Sequence, residues 1–80
     1  MHYSKDSAQN EYIQVPLGWE APEFNLRITF ISNNESVRLN KTDEKNHIYP
    51  GPELDLQHIP RLIEALAKIY NDKKNNKNAT

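Results

Sequence analysis

Alternation of apolar and polar residues is clearest between residues 24 and 31 of the chain. The apolar set occupies every second position: Phe24, Leu26, Ile28 and Phe30. The polar set lies between them: Asn25, Arg27 and Thr29. Because successive side chains of a strand point to opposite faces, this pattern predicts an antiparallel strand with one face buried and the other in water.

Weaker alternation on both sides of this strand predicts the rest of a sheet. A first strand is expected at about 11 to 15, ended by Pro16 and Gly18. The turn signal at 32–34 joins the best strand to another at about 35 to 40, in which Val37 and Leu39 point inward. Extended structure resumes near 47–49, and after the Pro/Gly turn at 50–52 a short strand follows. The sequence therefore predicts four antiparallel strands.

A helical pattern begins directly after the last strand. Its apolar positions follow the i, i+3, i+4, i+7 spacing of an amphipathic helix: Ile59, Leu62, Ile63, Leu66, Ile69 and Tyr70. Pro60 is compatible with the first turn, where its missing N–H breaks no hydrogen bond. We therefore expect an α+β domain, in which one C-terminal helix covers a four-stranded antiparallel sheet.

The size of the chain sets limits on its core. Eighty residues form a single domain, and the absence of cysteine excludes disulfides and thiolate metal sites. We expect residues 1–10 to be a flexible arm, 11–70 the domain and 71–80 a disordered polar tail. Since so small a core is marginal, a homodimer is expected, with core or dimer contacts from the helix: Leu62, Ile63, Leu66, Ile69 and Tyr70.

Several functional classes find no support in the sequence. The three histidines are not spaced as metal ligands, and no nucleophile, phosphate-loop or other catalytic motif is present. No apolar run approaches the length of a membrane span, and the N-terminus lacks the apolar core of a signal peptide. The sequence thus predicts a cytoplasmic protein that is not an enzyme, has no cofactor or metal, and does not bind a membrane.

The polar face of the predicted hairpin carries the candidate binding chemistry. Arg27 and Arg38 fall on neighbouring strands with Thr29 between them, and Lys41 and Lys45 follow in the next loop. The aromatic residues Tyr12, Trp19 and Tyr49 are predicted to lie near these cations. Cations beside aromatic rings are what single-stranded nucleic acid requires. The alternatives are that the arginines only keep an exposed face in water, that Trp19 covers the core, and that the domain binds a polypeptide through its sheet or helix.

Three segments together resemble the transcriptional coactivator family known as positive cofactor four. They are the strand core Leu26-Arg27-Ile28, the stretch Gly51-Pro52-Glu53-Leu54-Asp55-Leu56, and the helix start Ile59-Pro60-Arg61-Leu62-Ile63-Glu64-Ala65-Leu66. The resemblance covers roughly residues 11–70. It implies a curved four-stranded sheet with a C-terminal helix, a homodimer formed through that helix, and binding of single-stranded DNA by Arg27, Arg38 and Lys41, with a role in transcription or other DNA transactions. Family members usually carry Lys or Arg just before the glycine, whereas this chain has Tyr49 and Pro50.

Overall fold

The computed structural model describes residues 1–19 and 24–79. One curled antiparallel sheet is followed by one long helix, which confirms the α+β class. The strands are β1 (Ser4–Lys5), β2 (Glu11–Trp19), β3 (Phe24–Ile31), β4 (Ser36–Thr42), β5 (Ile48–Tyr49) and β6 (Glu53–Asp55). A 3-10 turn, Leu56–His58, leads into α1, Ile59–Ala79.

The sheet has more strands than the four that the sequence predicts. Strands β1 to β5 lie in chain order, and β6 pairs with β4 on the same edge as β5. The additional strand β1 comes from the segment predicted to be a flexible arm. The carboxylate of Asp6 accepts hydrogen bonds from the backbone N–H groups of Ala8 and Asn10, each at 2.9 Å. This turn returns the chain so that Ser4 and Lys5 pair with β2.

The last edge of the sheet is one strand interrupted by the Pro/Gly segment. Pro50 and Pro52 have no N–H to donate, so regular pairing with β4 stops there. The Leu39 N–H instead donates to the carbonyl of Pro52 at 2.9 Å, and the side chain of Asn40 donates to the carbonyl of Tyr49 at 2.9 Å. At Gly51 the two backbones touch, because an added Cβ would lie 1.8 Å from the Leu39 carbonyl oxygen. Only glycine fits this approach.

The hairpin between β3 and β4 confirms the predicted turn and extends it by one residue. The N–H groups of Asn34 and Glu35 donate to the carbonyls of Ile31 and Ser32, and Glu35 adopts a left-handed φ of 47°. Strand β4 then runs to Thr42, two residues beyond its predicted end. The extension places Lys41 in the strand rather than in the following loop.

The two faces of the sheet differ in chemistry and in burial. The apolar face carries side chains that are all half-buried: Ile13, Val15, Leu26, Ile28, Phe30, Val37, Leu39 and Leu54. The buried side chains among the described residues lie on the opposite, polar face: Thr29, Ser36, Asn40 and Thr42. Among the described residues no apolar side chain is buried. The single chain therefore does not close a hydrophobic core.

Helix α1 does not cover the apolar face, so the prediction that it does is wrong for the single chain. The connection from β6 is one 3-10 turn, and the contacts of the helix with its own chain are chiefly with that turn. Its apolar stripe is left in water, with Ile63 and Tyr70 each 61% exposed and Leu66 and Ile69 each 58% exposed.

The helix also continues through most of the segment that was predicted to be a disordered tail. It ends at Ala79, and the run from Asn71 onward contains neither proline nor glycine to stop it. Two contacts at i,i+4 spacing support this part: Lys68 bonds Asp72 at 3.0 Å, and Lys74 donates to the Tyr70 hydroxyl at 3.1 Å. Lys73 and Lys74 therefore lie on a helix.

Candidate nucleic-acid interface

Strand register brings the two arginines onto one face. Arg27 lies opposite Asn40, and Thr29 lies opposite Arg38, so the arginines are diagonal neighbours on adjacent strands. Tyr12 lies opposite Thr29 on the other side, which places it on the same face. Four of the predicted site residues, Tyr12, Arg27, Thr29 and Arg38, thus share a surface that we call the polar face.

The Arg27 guanidinium is held in place from two sides. It lies 4.2 Å above the centroid of the Tyr12 ring, within the range of a cation–π contact. Its Nε and one Nη donate to the Gln14 side-chain oxygen at 3.2 and 3.1 Å. These three groups are brought together by pairing between β2 and β3, where Gln14 lies directly opposite Arg27. The arginine is therefore preorganised, and among the described residues no acidic group takes part in holding it.

The Arg38 guanidinium is paired with an acid. It bonds the Glu53 carboxylate at 3.0 Å, and the same carboxylate accepts from the Ser36 hydroxyl at 2.8 Å and from the Asn34 amide at 3.4 Å. The Ser36 bond and then the Arg38 bond hold the pKa of Glu53 below its usual value. Glu53 is therefore bonded to three neighbouring side chains. Its partners depend on the register of β6 against β4, which the sequence pattern does not specify.

The two lysines of the predicted site lie elsewhere. Lys41 follows Asn40 in β4, and consecutive strand residues point to opposite faces, so Lys41 belongs to the apolar face. Lys45 lies in the loop between β4 and β5. The prediction that Lys41 lies in this loop is therefore wrong, whereas the loop position predicted for Lys45 is confirmed.

Lys41 is part of an aromatic group at one end of the sheet. Its ammonium lies 4.4 Å from the Phe24 ring centroid and 5.2 Å from that of Tyr49. The Phe24 and Tyr49 rings meet edge to face at 5.8 Å, and the His47 ring lies 4.8 Å from the Tyr49 ring. We call these four residues the loop-end cluster, since the β4–β5 loop borders it. It lies at the opposite end of the sheet from the start of α1.

The carboxylate of Asp43 fixes the loop beside this cluster. It accepts hydrogen bonds from the N–H of Lys45 at 3.0 Å and of His47 at 2.9 Å, and from the Tyr49 hydroxyl at 3.3 Å. The bond from His47 is the main reason why the pKa of Asp43 is lowered. Asn46 completes the turn with a left-handed φ of 62°. The position of His47 against Tyr49 is thus set by the backbone.

Trp19 ends β2, and its backbone pairs with Phe24. Its side chain is outside what the structure describes, so its role in base stacking remains a prediction.

The helix residues predicted for core or dimer contacts divide into two groups. Leu62 is half-buried near the start of α1, whereas the other four are exposed and have no core role in the single chain: Ile63, Leu66, Ile69 and Tyr70. The opposite side of the helix borders a cleft of about 500 Å³ lined by Arg61, Glu64, Ala65 and Lys68. This lining carries two basic side chains and one acidic side chain.

One buried polar group stands apart from these surfaces. Thr42 is fully buried at the end of β4, and its hydroxyl has no hydrogen-bond partner. It lies on the polar face opposite Asn25 and Ile48. Since a buried hydroxyl without a partner costs free energy, this residue weakens the fold locally.

In residues 1–19 and 24–79 no three His, Cys, Asp or Glu side chains are grouped as metal ligands, and no helix there is long and apolar enough to cross a membrane. No protein-family model, curated protein or solved structure matches this chain, so the resemblance to the positive cofactor four family remains a hypothesis.

Proposed function

We propose that this protein is a non-enzymatic homodimer that binds single-stranded nucleic acid on its polar face, in transcription or another DNA transaction. The observation that carries the proposal is the geometry of Arg27, whose guanidinium lies 4.2 Å from the centroid of the Tyr12 ring and is bonded to Gln14. A guanidinium has five N–H donors, and the bonds to Gln14 leave others for a phosphate oxygen. Because the side chain is already ordered, binding a phosphate costs little rotamer entropy.

The charge balance of the polar face sets the strength expected of this binding. Glu53 neutralises Arg38, so a phosphate has to compete with a carboxylate for that arginine. Arg27 is then the main phosphate contact, and the proposed homodimer has two such contacts, one from each protomer. Two contacts predict that the logarithm of affinity falls with the logarithm of salt with a slope of about −1.4. Affinity is therefore expected to be modest at physiological salt.

The homodimer is proposed because the single chain leaves its apolar surfaces uncovered. No apolar side chain of the described residues is buried, and the four exposed residues of the α1 stripe lie on one side of the helix. Removing these side chains from water is favourable in proportion to the apolar area covered. A second copy offers the same stripe and the same half-buried sheet face, so two chains can supply what each lacks.

Fluorescence anisotropy with a labelled single-stranded oligonucleotide tests the binding proposal. We expect binding at low salt that weakens as salt rises, and a loss of most of that affinity in Arg27→Gln. The matched control is Arg61→Gln, which removes the same charge from the helix and leaves the polar face intact. Absence of binding by the wild-type protein at low salt would refute the proposal.

Sedimentation equilibrium tests the homodimer. We expect a mass of twice the 9.3 kDa of the chain. Leu66→Glu places a charge in the centre of the stripe and should shift the equilibrium towards the monomer, whereas Asn71→Glu on the other side of the helix should not. A wild-type monomer at about 100 μM, well above the micromolar dissociation constants of moderate complexes, would contradict the homodimer.

A second candidate function is a module that binds another polypeptide. The exposed stripe of α1 favours it, as does the neutral Arg38–Glu53 pair on the polar face. An amphipathic helix face with spaced apolar anchors is a common mode of protein recognition. A monomer that binds no oligonucleotide, and that retains a protein from nuclease-treated lysate only when Leu66 is intact, would favour this function over the first.

A further inference from the structure

The loop-end cluster is a second surface suited to nucleic acid. It combines three rings, from Phe24, Tyr49 and His47, with the ammonium of Lys41. Lys45 is exposed on the adjoining loop. A stacking platform with cations beside it is the arrangement by which proteins hold the bases of single strands without reading their sequence.

The exposed ring of the cluster is His47. One side of its ring rests against Tyr49 at 4.8 Å, with 39° between the ring planes, and the residue is exposed to solvent. A base can therefore reach this ring and extend the stack from the solvent side. The bond from the His47 N–H to Asp43 holds the backbone of the loop in the position that this requires.

The polar face is less suited to stacking. Its ring, Tyr12, has the Arg27 guanidinium over one side at 4.2 Å, so a base would compete with that contact. The residues between the arginines, Thr29 and Asn40, are buried and have no rings. Phosphate binding and base stacking thus fall on different parts of the molecule.

We propose that the loop-end cluster is the base-stacking subsite for single-stranded nucleic acid, with His47 and Tyr49 as the platform and Lys45 beside it for a phosphate. This inference rests on the proposed function, because it says where the bases of the same nucleic-acid ligand bind. The polar face binds the sugar-phosphate backbone of the nucleic acid. The loop-end cluster binds a base, so the protein prefers strands with bases over abasic strands.

The test compares two labelled strands of equal length in fluorescence anisotropy, an oligothymidine and an abasic strand with the same sugar-phosphate backbone. We expect the wild-type protein to bind oligothymidine about tenfold more tightly, the effect of one stacked base. His47→Ala and Tyr49→Leu should both bring this ratio close to one while leaving the affinity for the abasic strand unchanged. Arg27→Gln should weaken both strands by the same factor. Tyr3→Leu, an exposed tyrosine outside the cluster, is the control and should change neither affinity.

Each outcome separates the two proposals. Equal binding of both strands by the wild-type protein, or an unchanged ratio in His47→Ala, overturns the stacking subsite and leaves the proposed function in place. Binding of neither strand overturns both. Since Tyr49→Leu removes a hydrogen bond to Asp43, circular dichroism should verify that this variant is folded. If it is unfolded, the result for His47→Ala, a substitution at an exposed residue, decides whether the stacking subsite exists.

Discussion

Replacement of Gly51 by alanine tests the contact that joins the last edge of the sheet to β4. The new Cβ would lie 1.8 Å from the Leu39 carbonyl oxygen, whereas real Cβ contacts stay above 3.0 Å. The chain around residue 51 must therefore move away by at least the difference, 1.2 Å. The neighbouring hydrogen bond from the Leu39 N–H to the Pro52 carbonyl, now 2.9 Å long, would not survive this shift.

The expected cost follows from these two effects. Forced overpacking costs about 1–3 kcal/mol, and a lost hydrogen bond costs about 1 kcal/mol. We expect Gly51→Ala to destabilise the fold by about 3 kcal/mol, a large part of the roughly 4–12 kcal/mol typical of a domain this size. At about 4–8 °C per kcal/mol, the midpoint of thermal unfolding should fall by about 12–24 °C.

Thermal unfolding followed by circular dichroism, with both proteins at the same concentration, measures this cost. Pro52→Ala is the matched control, because it changes the same segment by removing ring carbons rather than by adding a carbon beside Leu39, and it should change stability by less than about 1 kcal/mol. If Gly51→Ala unfolds within a few degrees of the wild-type protein, the close backbone approach is not a constraint, and the reasoning is refuted.

Three further predictions concern single residues. Thr42→Val replaces the buried hydroxyl that lacks a partner with a methyl group of the same shape, and should stabilise the fold by about 1 kcal/mol in chemical denaturation; a destabilised variant would indicate that the hydroxyl is bonded. Glu35 adopts a left-handed φ of 47°, which strains a residue that has a Cβ. Glu35→Gly removes this strain but adds entropy to the unfolded chain, so the fold should gain a net stability of about 0.5 kcal/mol. Glu35→Ala keeps the Cβ and should show no such gain. The pKa of Asp43 is lowered in the folded state from its ordinary value of 3.8. The ionised carboxylate therefore stabilises the fold above pH 3.8, and this stabilisation is lost as the pH falls through the lowered pKa of the folded state. The stability difference between the wild-type protein and Asp43→Asn should therefore shrink on acidification from about pH 6 to about pH 2, and a constant difference would contradict the role of the loop hydrogen bonds.

Local patterns predicted the elements of this fold well. The alternation in β3 and the spacing in α1 depend on neighbouring residues alone, so the strand, the helix and the turn between β3 and β4 were all predictable. The position of α1 relative to the sheet was not, because it depends on the geometry of the Leu56–His58 turn. The amphipathic pattern shows that a helix has an apolar partner but not which chain provides it.

The candidate site was predictable only in part, for the same reason. Alternation along β3 and β4 placed Arg27 and Arg38 on one face, as the register requires. The face of Lys41 depends on the length of β4. Because the strand continues two residues beyond its predicted end, Lys41 lies within it and on the face opposite to Arg27 and Arg38. The pairing of Arg38 with Glu53 depends on how β6 aligns after an irregular proline segment, which has no period to follow.

Both edges of the sheet carry prolines, and this limits how copies of the chain can assemble. Beyond its short pairing with β1, strand β2 contains Pro16, and the opposite edge is broken by Pro50 and Pro52. A foreign strand on either side would meet segments interrupted by proline rather than one long regular strand, which disfavours a continuous ladder. Pairing of sheets edge to edge into fibrils is therefore disfavoured.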